Sequence, residues 1–234
     1  MAVVCIDTNG KTILKGECLS SAIMIFKNRF DAGKQLAGKL GKYKNKKEAL
    51  ILAIPRGGLQ VGNVLAKELH LQLDVIITKK IGYPGNPEYA IGAVSLTGAS
   101  YDLDLLKTEG VSLKYVNEQI QEIRNVLKER YQQYGGKEKP ISVKGKVVII
   151  TDDGVATGNT MLAAIDLLRK EKPKKIVVAV PVGHPDTVEK LRKAADEVVC
   201  LSIPPQLFAI GQFYEDFTQV DDTEAIQLLK EVHT

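Results

Sequence analysis

The stretch Val147-Val-Ile-Ile-Thr-Asp-Asp-Gly-Val-Ala-Thr-Gly-Asn-Thr160 joins an apolar run to two adjacent acids and a small, hydroxyl-rich loop. A run that is apolar on both faces is typical of a strand in a parallel sheet covered by helices on each side. Residues 161–169 are expected to form a helix directly after the loop. Asp152 and Asp153 would then lie at the carboxyl end of the strand, where open α/β sheets bind their ligands.

The same order of apolar run, turn and helix recurs along the chain. It predicts an α/β fold with a doubly wound, mostly parallel sheet. The strands are predicted at residues 49–54, 73–78, 91–96, 147–150, 176–180 and 198–201. Helices are expected at residues 26–42, ahead of the first strand, and at 59–69, directly after it.

Two segments fall outside this alternation. The charged stretch 112–134 has apolar residues at helical spacing and lies between two predicted strands, so we expect it to cover one side of the sheet. Residues 1–234 are predicted to form one domain, since a chain of 234 residues can bury its own core. Within it, a helical insertion is placed at about 109–139 and a C-terminal hood at about 203–234.

Composition excludes several classes of protein. Hydrophobic residues at 44% and charged residues at 26% are ordinary globular values and exclude a disordered or fibrous chain. The net charge of +4 is too small and dispersed to predict a nucleic-acid partner, and the basic run 42–47 fits a solvated loop. The chain has neither the Gly-x-Gly-x-x-Gly of a nicotinamide-binding Rossmann domain nor a P-loop.

Three observations predict a cytoplasmic protein without a membrane partner. Asp7 and Lys11 fall where a signal peptide would need an apolar core. The longest uncharged stretch, residues 198–214, is shorter than a membrane-spanning helix of roughly 20 residues. The cysteines share no metal-binding spacing and fit reduced, mostly buried thiols; they are Cys5, Cys18 and Cys200.

The acids and the following loop predict a ribose 5-phosphate site. Each carboxylate of Asp152 and Asp153 can accept two hydrogen bonds, which suits the vicinal hydroxyls of a ribose. The backbone amides of residues 156–160, at the start of a helix, can cradle a phosphate, and Gly158 allows close approach. Asp-Asp-Gly is also a common turn and Thr or Asn a common helix cap, but the complete spacing is much narrower than either.

Two further loops are expected at the same edge of the sheet. Pro55-Arg56-Gly57-Gly58 and Lys79-Lys80 each follow a predicted strand, as the two acids do. Loops at the carboxyl ends of parallel strands converge on one crevice. Arg56 and the lysines bring more positive charge than one phosphate needs, which favours a second, more highly charged anion such as pyrophosphate.

These segments resemble the type I phosphoribosyltransferases. Residues 147–160 resemble their signature for 5-phosphoribosyl 1-pyrophosphate (PRPP), Pro55–Gly58 their pyrophosphate loop, and 81–89 their mobile catalytic loop. Three segments resemble a bacterial group of predicted phosphoribosyltransferases; they are Phe26-Lys-Asn-Arg-Phe-Asp-Ala-Gly33, Lys80-Ile-Gly-Tyr-Pro-Gly-Asn-Pro-Glu-Tyr-Ala-Ile-Gly-Ala93 and Phe208-Ala-Ile-Gly-Gln-Phe-Tyr214.

The resemblance implies an Mg²⁺-dependent enzyme of nucleotide metabolism that transfers phosphoribose from PRPP to a small nitrogenous acceptor. Homodimers are common among such proteins. The implied catalytic residues are Asp152, Asp153, Lys80 and Arg56. The two acids would hold the ribose hydroxyls directly or through Mg²⁺. The implied PRPP-binding residues are Arg56, Gly57, Lys79, Lys80, Asp152, Asp153, Gly154, Val155, Ala156, Thr157, Gly158, Asn159 and Thr160.

The acceptor is less well defined by the resemblance. Aromatic residues of the hood could stack on an acceptor ring, or they could simply close the core; they are Phe208, Phe213 and Tyr214. Ala156 stands where enzymes acting on 6-oxopurines commonly present an acid, which argues against hypoxanthine or guanine. Thr151 and Gly154 stand where many members carry apolar residues.

A regulator that binds PRPP without turnover is the alternative hypothesis, because fold and ligand site do not establish catalysis. Arg56 and Lys79-Lys80 favour the enzyme, since these groups are useful mainly to a departing pyrophosphate. A regulator should also carry a basic surface or an additional partner domain, and neither is evident from the sequence.

Overall fold

The computed structural model of the chain describes residues 5–6, 12–13, 24–135 and 140–233. The predictions that concern Asp7, Lys11, Cys18 and the side chain of Cys5 lie outside the described residues. The strands are β1 (Cys5–Ile6), β2 (Thr12–Ile13), β3 (Ala49–Ala53), β4 (Gln72–Val75), β5 (Thr78–Tyr83), β6 (Asn86–Ser95), β7 (Ala99–Tyr101), β8 (Val147–Thr151), β9 (Lys175–Val182) and β10 (Glu197–Ser202). The α-helices are α1 (Arg29–Lys39), α2 (Gly57–Leu69), α3 (Leu103–Thr108), α4 (Leu113–Gln133), α5 (Asn159–Lys170), α6 (Pro185–Ala194) and α7 (Asp222–His233).

A five-stranded parallel sheet in the order β10-β9-β8-β3-β4 forms the centre of the fold. Successive residues of each strand point to opposite faces, so Ile51 and Ile149 join a cluster with α1, α2 and α7, whereas Leu50 and Val148 join one with α5 and α6. Both faces are therefore covered by helices, and the predicted doubly wound, mostly parallel α/β fold is confirmed.

The prediction was wrong for the segment 78–101, which forms a separate sheet. β5, β6 and β7 pair antiparallel, so the strand predicted at 91–96 is part of β6 and does not join the central sheet. The strand predicted at 73–78 ends at Val75, and Thr78 already begins β5. The physical reason is the turn between β5 and β6, where Gly85 adopts φ +80° and lets the chain fold back on itself.

The predicted helix at 112–134 is present as α4, but it covers a different surface. The side chain of Ser112 accepts a hydrogen bond from the backbone N–H of Tyr115 and so caps the helix. The apolar stripe of α4 packs against the small antiparallel sheet, in a cluster with Ile81 and Ile91. The expectation that this helix covers the central sheet is therefore corrected: only its last turn reaches the central core, through Tyr131.

The C-terminal hood predicted at about 203–234 divides into two pieces, and the name hood is kept for the first of them. The hood segment, residues 203–221, includes a 3₁₀ turn at Ile210–Phe213 and contacts the carboxyl end of β8, where the hydroxyl of Tyr214 donates to the carbonyl of Asp153. The following helix α7 packs on α2, where Asn63 Nδ2 donates to the carbonyl of Leu228 over 2.7 Å.

No described helix combines the length and the apolar character that crossing a membrane requires. The extent of one domain over residues 1–234 stays a prediction.

Glu197 provides a pH-dependent contact at the amino end of the sheet. Its carboxylate accepts hydrogen bonds from Lys175 Nζ at 2.7 Å and Tyr43 OH at 2.8 Å, and Lys42 Nζ lies 2.8 Å away. Burial alone would raise the pKa of Glu197, but these partners outweigh it and lower the pKa to about 2. A folded-state pKa below the ordinary 4.5 stabilises the fold above pH 4.5, and this contribution disappears as the pH falls towards 2.

We therefore expect Glu197→Gln to lower the free energy of unfolding by about 1–2 kcal/mol at pH 7. The difference from the unmutated protein should shrink steadily as the pH is lowered from 5 towards 2. Urea unfolding of both proteins across this range measures it. A difference that stays constant with pH would contradict the assignment of the stabilisation to the ionised carboxylate.

Candidate functional site

The two acids lie where the sequence predicts, directly after β8 at the carboxyl edge of the central sheet. The backbone N–H of Asp153 donates to Asp152 Oδ1 over 2.9 Å. Burial and the neighbouring charge of Asp153 raise the pKa of Asp152 well above its ordinary value. Burial also raises the pKa of Asp153, although Arg29 opposes that effect. Ionising both carboxyls is thus unfavourable in the free protein, and a cation or hydroxyl donors at this position would relieve it.

The glycine loop after β3 packs directly against the acids, as the predicted convergence of loops requires. A Cβ at Gly57 would lie 2.0 Å from Asp153 Oδ2, and one at Gly58 would lie 3.0 Å from both the Cα of Asp152 and the carbonyl oxygen of Thr151. The backbone N–H of Gly58 also hydrogen-bonds the Asp152 carboxylate. The peptide bond between Pro55 and Arg56 is cis. Only residues without a Cβ allow the backbone to approach the acids this closely.

Backbone contacts to β9 hold the loop between β8 and α5. The N–H of Val155 donates to the carbonyl of Val182, and the carbonyl of Val155 accepts from the N–H of His184, each over 2.9 Å. Thr187 Oγ1 donates to the carbonyl of Ala156 over 2.5 Å. The loop is therefore fixed from the side of the sheet. A Cβ at Gly154 would meet the hood residue Ile210 at 2.7 Å, so this apolar side chain packs directly against the glycine.

The end of the same loop presents free amides to solvent. Gly158 adopts φ +73° and stands at the N-cap position of α5, and no side chain caps this helix. The first backbone N–H groups of a helix have no partner within the helix. The residues around them are exposed; they are Ala156, Thr157, Asn159 and Thr160. The loop thus offers the amide cradle that a phosphate requires.

The structure corrects the prediction for Lys79 and Lys80. Both lysines lie within β5, not in a loop after a strand of the central sheet, and the segment 81–89 forms the turn end of the β5–β6 hairpin. Lys80 Nζ lies 2.7 Å from Glu88 Oε2 on the same hairpin. Both lysines line a cleft of about 400 Å³ between the hairpin and α4. The contact of both lysines with pyrophosphate therefore stays a prediction. For Lys80 it requires that the ion pair with Glu88 breaks.

Arg56 lies beside the acids and faces a second cleft. Its Nη1 is 3.6 Å from Asp222 Oδ1 at the start of α7. The cleft measures about 350 Å³, and its wall consists of Arg29, Arg56, Gly57, Phe217, Gln219 and Val220. The guanidinium of Arg56 is thus available next to the glycine loop, as the sequence predicts.

Arg29, the first residue of α1, belongs to this site but was not predicted. It is 5% exposed, and its Nε donates to Asp153 Oδ2 over 2.7 Å. Its Nη1 donates to the carbonyl of Thr218 over 2.9 Å, and its guanidinium lies 3.7 Å from the ring centre of Phe217. The segment Phe26–Gly33 resembles the bacterial group, but an arginine at the start of an amphipathic helix ordinarily faces water. No local pattern therefore indicated this contact.

The predicted acceptor contacts divide according to burial. Phe208 is 81% exposed and available to a ligand, whereas Phe213 and Tyr214 pack in a core cluster with Phe26. The hydroxyl of Tyr214 donates to the carbonyl of Asp153 over 2.6 Å. The acceptor role is thus corrected for Phe213 and Tyr214, because buried rings close the core and present no face for stacking.

The described residues contain no cluster of three or more His, Cys, Asp or Glu side chains that could hold a metal ion. Asp152 and Asp153 remain the candidate metal-binding pair. Two carboxylates suit Mg²⁺, which is commonly held by one or two carboxylates while substrate phosphates and water complete its octahedron. The donor set therefore fits Mg²⁺ bound together with a phosphorylated substrate.

Comparisons with known proteins identify relatives of the chain. A Mycobacterium tuberculosis protein, provisionally named as a phosphoribosyl transferase, is 36% identical over 218 residues, which cover 89% of this chain and 47% of the relative. The chain thus spans about half the length of the curated relatives it matches. The crystal structure of the TT1426 protein from Thermus thermophilus is 37% identical, covers 89% of this chain and 99% of that one, and superposes with a TM-score of 0.77.

A shorter match is to a ribose-phosphate pyrophosphokinase. The ribose-phosphate pyrophosphokinase of Pyrococcus furiosus is 42% identical over 67 residues, which are 28% of this chain and 24% of that enzyme. The family described as the phosphoribosyl transferase domain matches residues 20–217, which include both acids, the glycine loop and the loop before α5. With the parallel sheet and these three elements in place, the chain belongs to the phosphoribosyl transferase domain family.

Proposed function

We propose that the protein is a cytoplasmic glycosyltransferase that moves the 5-phosphoribosyl group of PRPP to a small nitrogenous acceptor and releases pyrophosphate. The observation that supports this most strongly is the meeting of Asp152 and Asp153 with the glycine loop 55–58 and the uncapped start of α5. A diol, a monophosphate and a pyrophosphate on one ligand require these three elements side by side.

Each part of PRPP has a binding partner in this arrangement. Asp152 and Asp153 accept hydrogen bonds from the ribose hydroxyls, and the amides of residues 156–160 take the 5-phosphate. Arg56 and the backbone amide of Gly57 receive the pyrophosphate. Lys79 and Lys80 join them when the β5–β6 hairpin closes over the ligand and Lys80 exchanges Glu88 for phosphate oxygens.

The reaction breaks the bond between the anomeric carbon and the pyrophosphate oxygen and forms a bond from that carbon to the acceptor nitrogen. Positive charge develops on the ribose ring in the transition state, and the buried carboxylates of Asp152 and Asp153 stabilise it. Arg56 and Lys80 stabilise the negative charge that develops on the pyrophosphate. Closure of the hairpin also excludes water, which would otherwise compete with the acceptor for the anomeric carbon.

Asp152 and Asp153 would hold the proposed cofactor, Mg²⁺, directly or through water. When bound, it supplies positive charge that neutralises the diphosphate. The raised pKa values of the two acids fit this role, because a bound cation favours their ionised forms.

The acceptor binds under the hood, where the exposed ring of Phe208 is available for stacking. At Ala156 the chain has no acid to offer a 6-oxopurine, so hypoxanthine and guanine are disfavoured. A small nitrogenous base or amine without that requirement is the proposed acceptor class. A homodimer is proposed from the family resemblance.

We expect the protein to release pyrophosphate from PRPP with one member of a panel of bases and amines. A coupled assay of pyrophosphate release, with Mg²⁺ present, measures it. Binding of PRPP without release for any acceptor would contradict the enzyme and support the non-catalytic regulator. Absence of PRPP binding altogether would contradict both functions.

A further inference from the structure

The buried guanidinium of Arg29 links three parts of the molecule that are distant in sequence. It holds Asp153 Oδ2 through Nε, the carbonyl of Thr218 through Nη1, and the ring of Phe217 through its face. Among the described residues, no other side chain donates a hydrogen bond to the Asp153 carboxylate. Two donors of one rigid, planar group thus fix the position of one carboxylate oxygen relative to the hood.

The hood is itself joined to the start of α1 by backbone hydrogen bonds. The N–H of Phe26 donates to the carbonyl of Phe213, and the N–H groups of Glu215 and Asp216 donate to the carbonyls of Phe26 and Lys27, over 2.8–2.9 Å. Tyr214 adds the bond from its hydroxyl to the carbonyl of Asp153. The segment that carries Arg29 and the hood therefore form one unit, and this unit touches both the backbone and the carboxylate of Asp153.

A charged group as buried as Arg29 is stable only when it is paired, and Asp153 is the carboxylate that pairs with it. Nε takes one acceptor position of Oδ2, and a carboxylate has about four such positions, so Asp153 can still accept hydrogen bonds from a ligand. Without Arg29 the Asp153 carboxylate could rotate. Its oxygens would then no longer be held in one orientation for hydrogen bonds from the ribose hydroxyls. If the ion pair were purely structural, its loss would not selectively weaken the binding of the ribose.

We propose that Arg29 is a positioning residue for Asp153: it holds the carboxylate in the orientation that receives the ribose hydroxyls of the sugar phosphate, and it connects this orientation to the hood. The inference rests on the proposed function, because it assigns the ribose of PRPP to Asp153. Arg29 acts through Asp153, because its buried guanidinium is engaged by Asp153, the carbonyl of Thr218 and the ring of Phe217.

The test compares Arg29→Lys and Arg29→Gln with the unmutated protein. Lysine keeps the charge but cannot bind Asp153 and the Thr218 carbonyl with a planar fork, and glutamine keeps one donor without the charge. Arg169→Gln is the matched control, since it removes a 2.7 Å ion pair with Asp196 at the far end of α5. The dissociation constant of PRPP with Mg²⁺ is measured by calorimetry, and that of inorganic phosphate by titration of the melting temperature.

We expect the dissociation constant of PRPP to rise about 10-fold in Arg29→Lys and about 50-fold in Arg29→Gln, the range expected for a hydrogen bond to a charged group. The constant for inorganic phosphate should stay within about twofold of the unmutated protein, because phosphate has no ribose. Arg169→Gln should leave both constants unchanged.

Equal losses of PRPP and phosphate affinity in the Arg29 variants would overturn the inference and assign Arg29 a structural or phosphate-binding role. PRPP affinity unchanged in Arg29→Lys and Arg29→Gln would overturn it as well. If the unmutated protein does not bind PRPP, the proposed function fails and the inference fails with it. Should Arg29→Gln not fold, the ratio of the two constants in Arg29→Lys decides the question.

Discussion

Replacing both Asp152 and Asp153 by asparagine is expected to abolish the rise in melting temperature that PRPP and Mg²⁺ together produce in the unmutated protein. Asparagine has nearly the same shape but carries no charge to hold the cation or to accept hydrogen bonds as strongly from the ribose. At a ligand concentration 100 times the dissociation constant, the unmutated protein should gain about 2.7 kcal/mol of stability. The double variant should gain none.

Without ligand, the double variant should melt below the single variant Asp152→Asn, because removing the charge of Asp153 leaves the buried Arg29 without its ion-pair partner. Burial and the charge of Asp153 raise the pKa of Asp152, so Asp152→Asn alone relieves an unfavourable ionisation and should melt at least as high as the unmutated protein at pH 7. Differential scanning calorimetry with and without PRPP measures both effects. Asp104→Asn, which changes an exposed carboxylate on α3, is the matched control and should keep the full ligand-induced shift.

A double variant that retains the shift would show that PRPP binds elsewhere. The absence of a shift in the unmutated protein, at saturating PRPP and Mg²⁺, would refute the assignment of the site. Retention of the shift in Asp104→Asn is needed to exclude a general effect of removing negative charge.

Gly57→Ala is expected to weaken PRPP binding by about 100-fold or more. The new methyl group would lie 2.0 Å from Asp153 Oδ2 and 2.7 Å from its Cγ, far inside van der Waals contact. The carboxylate cannot simply move away, because Arg29 holds it and the same methyl group would lie 3.1 Å from Arg29 Nε. Either the glycine loop or Asp153 must therefore shift, and overpacking of this kind costs about 1–3 kcal/mol of folding stability.

Gly38→Ala is the matched control for this substitution. Gly38 lies in α1, and a Cβ there would meet nothing within 4 Å. Alanine should stabilise the helix by about 0.5–1 kcal/mol and leave PRPP affinity unchanged. Thermal unfolding and PRPP titration of both variants separate the two cases. Normal PRPP affinity in Gly57→Ala would contradict the close packing of the glycine loop on the acids.

The central sheet and the main parts of the site could be predicted because their patterns are local. Residues 147–160 carry a buried strand, two acids and a helix start in one continuous stretch, and Pro55–Gly58 follows a second buried strand directly. Once both strands belong to a parallel sheet, topology alone brings the ends of β3 and β8 together. Neither inference needs knowledge of a contact between distant segments.

The wrong predictions concern two kinds of information. One is the contact between segments far apart in the chain, and the other is the choice of the strand with which a strand pairs. The apolar run 91–96 fits a strand of either sheet, and only its pairing with β5 decides that it is antiparallel. Phe213 and Tyr214 look like ligand contacts or core residues from sequence, and their burial beside Phe26 decides for the core.

The sequence by itself determined the α/β class, the strand that carries Asp152 and Asp153, and the glycine and hydroxyl groups suited to a sugar phosphate. The tertiary structure alone decided that Arg29 reaches Asp153 across 124 positions of sequence. The physical reason is that strand and helix periodicities report which face of an element is buried, but not which partner meets that face. A buried charge is stabilised by its partner, so its role becomes visible only when both groups are placed.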